Sequence, residues 1–355
     1  MALKLHALSD LLTLEADTVI DVRAPAEFAE DHLPGAISLP VLDDAERARV
    51  GTIYKQESPF KARKIGAALV ARNAARHIET ALAEKGGGWR PLVYCWRGGQ
   101  RSGSFAAILA QIGWRTELIE GGYRSYRRLV VKALYEEPWP TRLLVLDGNT
   151  GTAKTALLAR LAARGAQVID LEGLARHRGS VLGPDPRGQP SQKAFESGIA
   201  MALAGCDPAR PVVVEAESSK VGDLIVPPSL WALLRAAPRL VIEAPVPARA
   251  EYLARAYGDL TADPERIAAL LALLRPFHGA ERVEAWQAMA REGAHVELAA
   301  KLVECHYDPR YARSRGRWEG AVRAVLRSES LDAAALETLA DAAMAALAAE
   351  GPTQG

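Results

Sequence analysis

Val93-Tyr94-Cys95-Trp96-Arg97-Gly98-Gly99-Gln100-Arg101-Ser102 is the stretch on which the reading of this chain turns. The apolar run Pro91 to Tyr94 reads as a strand and delivers a cysteine. A tight glycine-containing loop follows, and Ser102 to Ile112 has the pattern of a helix stopped by Gly113. In a strand–loop–helix of this kind, successive backbone N–H groups point inward and the helix N-terminus adds a positive field. Both effects lower a thiol pKa from about 8.5 toward or below neutral. Gly98 and Gly99 let the backbone curl at little steric cost. Arg97 and Arg101 add positive charge for a bound anion or for the thiolate, and Trp96 and Gln100 complete the loop. Cys95 is therefore the candidate nucleophile. Two chemistries use such a loop: transfer of a sulfur or selenium atom carried on the cysteine, and hydrolysis of phosphate esters. The second uses Cys, five residues, then Arg, which Cys95 to Arg101 satisfies, so spacing does not decide. Phosphatases of that type usually carry His before the Cys, where this chain has Tyr94.

Outward from the loop, Thr18 to Val22, Ala36 to Leu39 and Thr116 to Ile119 read as further strands. Helices are expected over Pro25 to Asp31 and Lys61 to Ala83, the latter stopped by Gly86, Gly87 and Gly88. Alternating strands and helices imply a doubly wound parallel sheet. Glu136 to Pro140 holds two prolines and no periodicity, and marks a boundary. A second α/β run follows, with strands at Arg142 to Leu146, Gln167 to Ile169, Val212 to Val214 and Leu240 to Ile242, and a helix at Lys154 to Arg164. After about Pro247 the strand signals stop and Ala, Leu, Glu and Arg dominate. The expected organisation is 1–137, 138–250 and a helical C-terminal region over 251–355 that packs on the second domain; the last five residues read as a frayed tail.

The bulk numbers fit this. A chain of 355 residues suggests roughly two domains. With 49% hydrophobic and 25% charged residues it falls in the ordinary globular class. No apolar run approaches the ~20 residues of a membrane span, and the first residues lack a secretory h-region, so a cytoplasmic protein with no membrane partner is expected. Three cysteines, Cys95, Cys206 and Cys305, are odd in number and widely spaced, which argues against a disulfide framework and a paired-cysteine zinc site. A net charge of +1 gives no support for nucleic-acid binding, so local patterning must carry any such claim.

Asp147-Gly148-Asn149-Thr150-Gly151-Thr152-Ala153-Lys154-Thr155 follows an apolar strand and opens a helix, the context a phosphate-binding P-loop requires. The candidate diphosphate ligands are Gly148, Asn149, Thr150, Gly151, Thr152, Lys154 and Thr155, with Mg²⁺ at Thr155 as the only candidate metal. The pattern expects Gly before the Lys, and this chain has Ala153. If that position needs φ > 0, Ala costs on the order of 1 kcal/mol. Candidate acids at strand ends are Asp170, Glu172, Glu215 and Glu217, either as second carboxylates of the site or as caps.

Asp21-Val22-Arg23-Ala24-Pro25-Ala26-Glu27-Phe28 and His32-Leu33-Pro34-Gly35-Ala36-Ile37 resemble the entry signature of rhodanese domains over about residues 10 to 130. That resemblance implies a five-stranded parallel α/β fold with a nucleophilic cysteine after a central strand, and removes the phosphatase reading; Asp21 and Arg23 are expected to brace the sheet end. With a P-loop domain behind it, and with Gly51 to Gln56, Gly121 to Arg124, Leu171 to Ser180, Glu215 to Gly222 and His306 to Tyr311 also matching, the chain resembles the tRNA 2-selenouridine synthase family over nearly its whole length.

The resemblance implies that 2-thiouridine at the wobble position of tRNAs for Lys, Glu and Gln is S-geranylated with geranyl diphosphate. The S-geranyl group is then replaced by selenium from selenophosphate, which a selenophosphate synthetase supplies. Cys95 would carry selenium, and Gly148 to Thr155 would bind the diphosphate. No tightly bound cofactor is implied, and a monomer is expected. Candidate tRNA contacts are Arg176, His177 and Arg178, and an arginine-rich stretch with Arg310, Arg313, Arg315 and Arg317 interleaved with Tyr307, Tyr311 and Trp318.

Overall fold

The computed structural model describes residues 2–180, 183, 185–314 and 319–349. They form two compact units: the chain up to Glu137 together with Pro190–Gly205, and Pro138–Gln189 together with the chain from Cys206 onward.

The first unit is built on strands β1 (Ala2–Leu3), β2 (Thr18–Asp21), β3 (Ile37–Ser38), β4 (Pro91–Tyr94) and β5 (Glu117–Ile119) in the order β1-β5-β4-β2-β3. Every pairing is parallel. β4 lies at the centre and is buried along its whole length, which is why it reads as a continuous apolar run rather than an alternating one. Ile20, Val22, Val93, Phe105 and Leu109 form the core beneath it. Five parallel strands are what the rhodanese resemblance implied. The helix Asp44–Gln56 was not legible in the sequence because it buries only Ile53; it is set by the Asp43/Glu46 capping box rather than by an apolar stripe.

One segment departs from the expected organisation. The helix Gln192–Ala204 falls inside the range 138–250 assigned to the P-loop domain, yet it packs within the first unit. Ser197 Oγ donates to Asp31 Oδ2 at 2.8 Å, Lys193 pairs with Glu30 at 2.6 Å, and Glu196 is held by Arg127 and Tyr135. The contacts joining it to its unit lie far away in sequence, beyond the reach of local periodicity.

The second unit carries β6 (Leu143–Gly148), β7 (Gln167–Ile169), β8 (Val212–Glu215), a short antiparallel hairpin β9 (Lys220–Val221) and β10 (Leu224–Ile225), β11 (Arg239–Glu243) and β12 (Val322–Arg327). Its main sheet has the order β12-β11-β6-β8-β7, parallel throughout. All of β6 is buried. The C-terminal region is largely helical, as expected, but it also contributes β12 to the sheet edge. That strand buries only Leu326, so its pattern Val-Arg-Ala-Val-Leu-Arg merged with the arginine-rich stretch before it. Leu260, Ile267, Leu271, Leu298 and Leu302 make a separate helical core in the same unit.

Candidate functional site

β4 ends at Tyr94, and Cys95 follows as a buried residue, 4% exposed. The helix Gln100–Ile112 starts directly behind the loop. Two loop carbonyls are consumed on the far side: Tyr123 N–H donates to Cys95 O at 2.8 Å and Arg124 N–H to Trp96 O at 3.0 Å. With the carbonyls turned away, the loop N–H groups face the thiol. Burial works to raise the Cys95 pKa, but the Ser102 hydroxyl and the backbone N–H groups of Ser102, Arg97 and Gly99 outweigh it, and the net shift is downward. Ser102 Oγ lies 3.2 Å from Sγ and 3.3 Å from Gly99 O. It has one proton, and a thiolate is the stronger acceptor. Gly122 makes this approach sterically permissible: its φ is 58°, and a Cβ there would stand 2.2 Å from Cys95 O and 2.5 Å from Gly98 N. The Gly121 to Arg124 stretch is thus the clasp of the loop.

The residues around the loop have distinct tasks. Arg23 pairs with Asp21 in full burial at 2.6 Å, and lies 4.0 Å from the Tyr123 ring centroid. This is the bracing role expected of the Asp21–Arg23 pair. Tyr94 accepts the Leu33 N–H on its hydroxyl at 3.1 Å, a structural task at the position where Cys-dependent phosphatases carry His. The Trp96 ring lies 5.3 Å from that of Tyr123, tilted by 30°. Arg101 differs from expectation. Its guanidinium binds Glu27 at 2.8 Å, so its charge is offset by a carboxylate 74 positions away. Burial works against charge on Glu27, yet Arg101 and the Ala24 N–H hold its pKa below the ordinary range. Arg97, exposed at the loop tip, has no carboxylate partner among the described residues.

In the second unit β6 runs into the Gly148 to Thr155 loop, and the helix Lys154–Ala163 opens from it. Ala153 has φ 61°, so the position that departs from the P-loop pattern does adopt the left-handed conformation. The strain of about 1 kcal/mol is accepted locally. Lys154 Nζ folds over the loop to Gly148 O at 2.7 Å, and Thr155 Oγ1 donates to Glu172 Oε2 at 3.2 Å. Among the described residues no group of three or more His, Cys, Asp or Glu stands at metal-binding spacing. The loop is clamped from outside by a residue the sequence did not flag. Arg249, 3% exposed, donates from Nε and Nη2 to Thr150 O at 2.9 and 2.6 Å, and binds Asp308 at 2.7 and 2.9 Å. Asn149 donates to the same carboxylate at 2.9 Å. Asp308 belongs to the His306 to Tyr311 stretch, which was the one available signal.

The loop opens on a cavity of about 810 Å³ whose wall includes Lys154, Thr155, Glu172, Glu217, Arg178 and Arg310. Arg176 and His177 line it too. Arg178 is paired with Asp259 at 2.9 Å and lies 4.6 Å from the Tyr257 ring centroid. Arg310 lies 4.2 Å from the Phe277 ring centroid and bonds His306 at 3.1 Å. Burial, then Arg310 and His278, push the His306 pKa down to about 4, so the imidazole is neutral near pH 7 and its ring nitrogen accepts from Arg310. Arg313 is exposed on the helix Asp308–Ser314, while Arg315, Arg317 and Trp318 lie outside the described residues. Asp170 is a helix cap, accepting the Gly173 N–H at 2.7 Å. Glu215 is fully buried; its Oε1 accepts the Glu172 N–H at 2.7 Å and its Oε2 has no partner. A second, apolar pocket adjoins this cavity, sharing Thr150, Leu253, Tyr257 and Tyr307 with it. Leu260, Ile267, Leu298, Ala299 and Leu302 also line it, together with the polar Thr261 and His295.

The pattern of the tRNA 2-selenouridine synthase AAA domain matches residues 141–270, and that of the rhodanese-like domain matches residues 4–129. A tRNA 2-selenouridine synthase of Hahella chejuensis is 34% identical over 85% of this chain and 86% of its own length. That of Alcanivorax borkumensis is 33% identical over 88% and 93%, respectively. That of Chromohalobacter salexigens is 39% identical over 72% and 68%.

Two measurements check this geometry. Ser102→Ala removes a donor to Sγ and should raise the Cys95 pKa. The pH profile of Cys95 alkylation, read peptide by peptide, should move to higher pH, and an unmoved profile would contradict the assignment. Arg249→Met removes the clamp on Thr150 and should weaken inorganic diphosphate binding roughly ten- to hundredfold, while Cys95 alkylation stays at the parent rate.

Proposed function

Because the chain belongs to the tRNA 2-selenouridine synthase family, a family of tRNA-modifying enzymes, we propose that it turns wobble 2-thiouridine into 2-selenouridine through an S-geranyl intermediate. In the first step the thiocarbonyl sulfur attacks C1 of geranyl diphosphate and diphosphate leaves. The N–H groups of the Gly148 to Thr155 loop and Lys154 are suited to neutralise the departing oxygens. In the second step the selenium of selenophosphate, bound at the Cys95 loop, attacks C2 and the geranyl thiol leaves, and water then cleaves the P–Se bond to release phosphate. Alkylation prepares that exchange by making C2 a better electrophile and sulfur a leaving group. Loop N–H groups and Arg97 suit a bound phosphate beside a Cys95 thiolate. The tRNAs for Lys, Glu and Gln are the acceptors in this reading, a selenophosphate synthetase supplies the selenium donor, and the protein acts as a cytoplasmic monomer. No helix among the described residues is long and apolar enough to cross a membrane.

The reading is supported by a phosphate loop whose cavity of about 810 Å³ adjoins a smaller, mainly apolar pocket of about 50 Å³ beside Thr150. The small pocket takes only part of a hydrocarbon tail, and the larger cavity holds the remainder of a ligand with a diphosphate at one end and a hydrocarbon at the other.

The test uses a 2-thiouridine anticodon stem-loop with geranyl diphosphate, followed by nucleoside mass spectrometry. Lys154→Ala should lower S-geranylation by about two orders of magnitude. Ala299→Phe, which fills the apolar pocket, should raise the KM for geranyl diphosphate far more than for a five-carbon prenyl diphosphate. Cys95→Ser should leave geranylation intact, and with selenophosphate present the S-geranyl nucleoside should accumulate. Normal geranylation by Lys154→Ala would overturn the assignment of the phosphate loop.

A further inference from the structure

Alkylating the sulfur of a thiopyrimidine leaves a proton to be disposed of. The 2-thiouracil ring carries hydrogen on N3, beside the thiocarbonyl. As the S–C bond forms, the C–O bond to diphosphate breaks and its electron pair leaves on oxygen. The ring is then cationic unless the N3 proton departs, whereupon the N–H pair becomes the C2=N3 double bond. A positioned base accelerates such a step by about 10²–10⁴-fold. Lys154, a cation at the leaving group, does not supply it.

The cavity wall holds a carboxyl suited to this. Glu217 stands just past β8, and β8 pairs with β6, so Glu217 occupies the carboxyl edge next to the phosphate loop. It shares the cavity with Lys154 and Thr155. Its Oε2 accepts the Ser218 N–H at 3.3 Å, and it hydrogen bonds with Glu172, whose own Oε2 takes the Thr155 hydroxyl. The Gly179 backbone closes over both acids: a Cβ there would stand 2.6 Å from Glu217 Oε1 and 2.4 Å from Glu172 Oε1. The charged and titratable groups around it are Lys154 from the phosphate-loop helix, Glu172 from the helix Leu171–Ala175, Glu215 on its own strand, and His177 beside Glu172. Burial first, then Glu172, push the Glu217 pKa well above the ordinary carboxylate range, with Lys154 opposing. That direction makes Glu217 a stronger base once ionised, and its carboxylate form grows as pH rises.

We propose that the Glu217 carboxylate is the general base that takes the N3 proton as the thiopyrimidine sulfur attacks the alkyl diphosphate, an assignment that rests on reading the phosphate-loop cavity as the alkyl-transfer site. The proton ends on Glu217, diphosphate leaves beside Lys154, and the ring leaves the step neutral.

The experiment is the pH dependence of S-geranyl transfer by the full-length protein, from mildly acidic to alkaline buffer, with the thiolated stem-loop and geranyl diphosphate. Glu217→Gln should lose about 10²-fold or more of the rate at the pH where the parent is fastest. The defect should be small on the acidic limb, where Glu217 keeps its own proton, grow as that limb is passed, and shrink again once N3 loses its proton to solvent. Binding of geranyl diphosphate should match the parent. A pH-independent defect, or a profile identical to the parent, would overturn the proposal. If Glu217→Gln is recovered unfolded, Glu217→Asp carries the test: the acidic limb of its profile moves if residue 217 is the base, and an unmoved limb overturns the proposal. Failure of the underlying reading looks different: the parent would transfer no geranyl group, or Lys154→Ala would transfer it at the parent rate.

Discussion

Two backbone hydrogen bonds, from Tyr123 N–H to Cys95 O and from Arg124 N–H to Trp96 O, set the chemistry of the first unit. A loop of consecutive peptides cannot point all of its N–H groups at one atom unless its carbonyls are satisfied elsewhere. The start of the helix Tyr123–Val131 provides that satisfaction, and it can come close enough only because residue 122 has no side chain. The buried thiol then sits where its charged form is hydrogen bonded, and burial, which alone would silence it, is overcome. Arg23 and Asp21 hold the platform beneath, and Tyr123 links the two layers through its ring and through its hydroxyl on Asp31 at 2.8 Å.

The second unit solves a related problem with a different device. Its phosphate loop carries Ala in a left-handed conformation where Gly would be relaxed, and the loop is held by Arg249, whose guanidinium is shared between a loop carbonyl and Asp308. A buried guanidinium is tolerable only when fully paired, and here the pairing ties the loop to the helix that also presents Arg310 to the cavity. The apolar pocket borrows its wall from the helical core behind that clamp. The phosphate loop and a small, mainly apolar pocket therefore lie side by side.

What could be read in the sequence was what is encoded contiguously. Cys95 with its loop, and Gly148 to Thr155 with its lysine, each specify their own backbone path, so strand, turn and helix were all legible there, including the strain at Ala153. What could not be read depended on partners far along the chain. Arg101 looked like a free cation because Glu27 lies 74 positions away, and Arg249 looked like one more helical arginine because Asp308 lies 59 away. The helix Gln192–Ala204 is apolar enough for either unit, and only Ser197 on Asp31 and Glu196 on Arg127 decide which. β12 was hidden because a half-exposed edge strand rich in arginine has no strong period of its own. The arginine stretch read as one tRNA patch also divides: Arg310 is committed to His306 and Phe277 at the cavity, and Arg313 stands exposed.

The proposed division of labour has alkyl transfer depending on Lys154 and selenium delivery on Cys95. It is tested most directly by bypassing the first step. An RNA stem-loop already carrying S-geranyl-2-thiouridine is given to Lys154→Ala and to Cys95→Ser, each with selenophosphate, and the 2-selenouridine formed is measured by nucleoside mass spectrometry. Lys154→Ala is expected to give product at the parent rate and Cys95→Ser none. Loss of product in Lys154→Ala, or its persistence in Cys95→Ser, would contradict it.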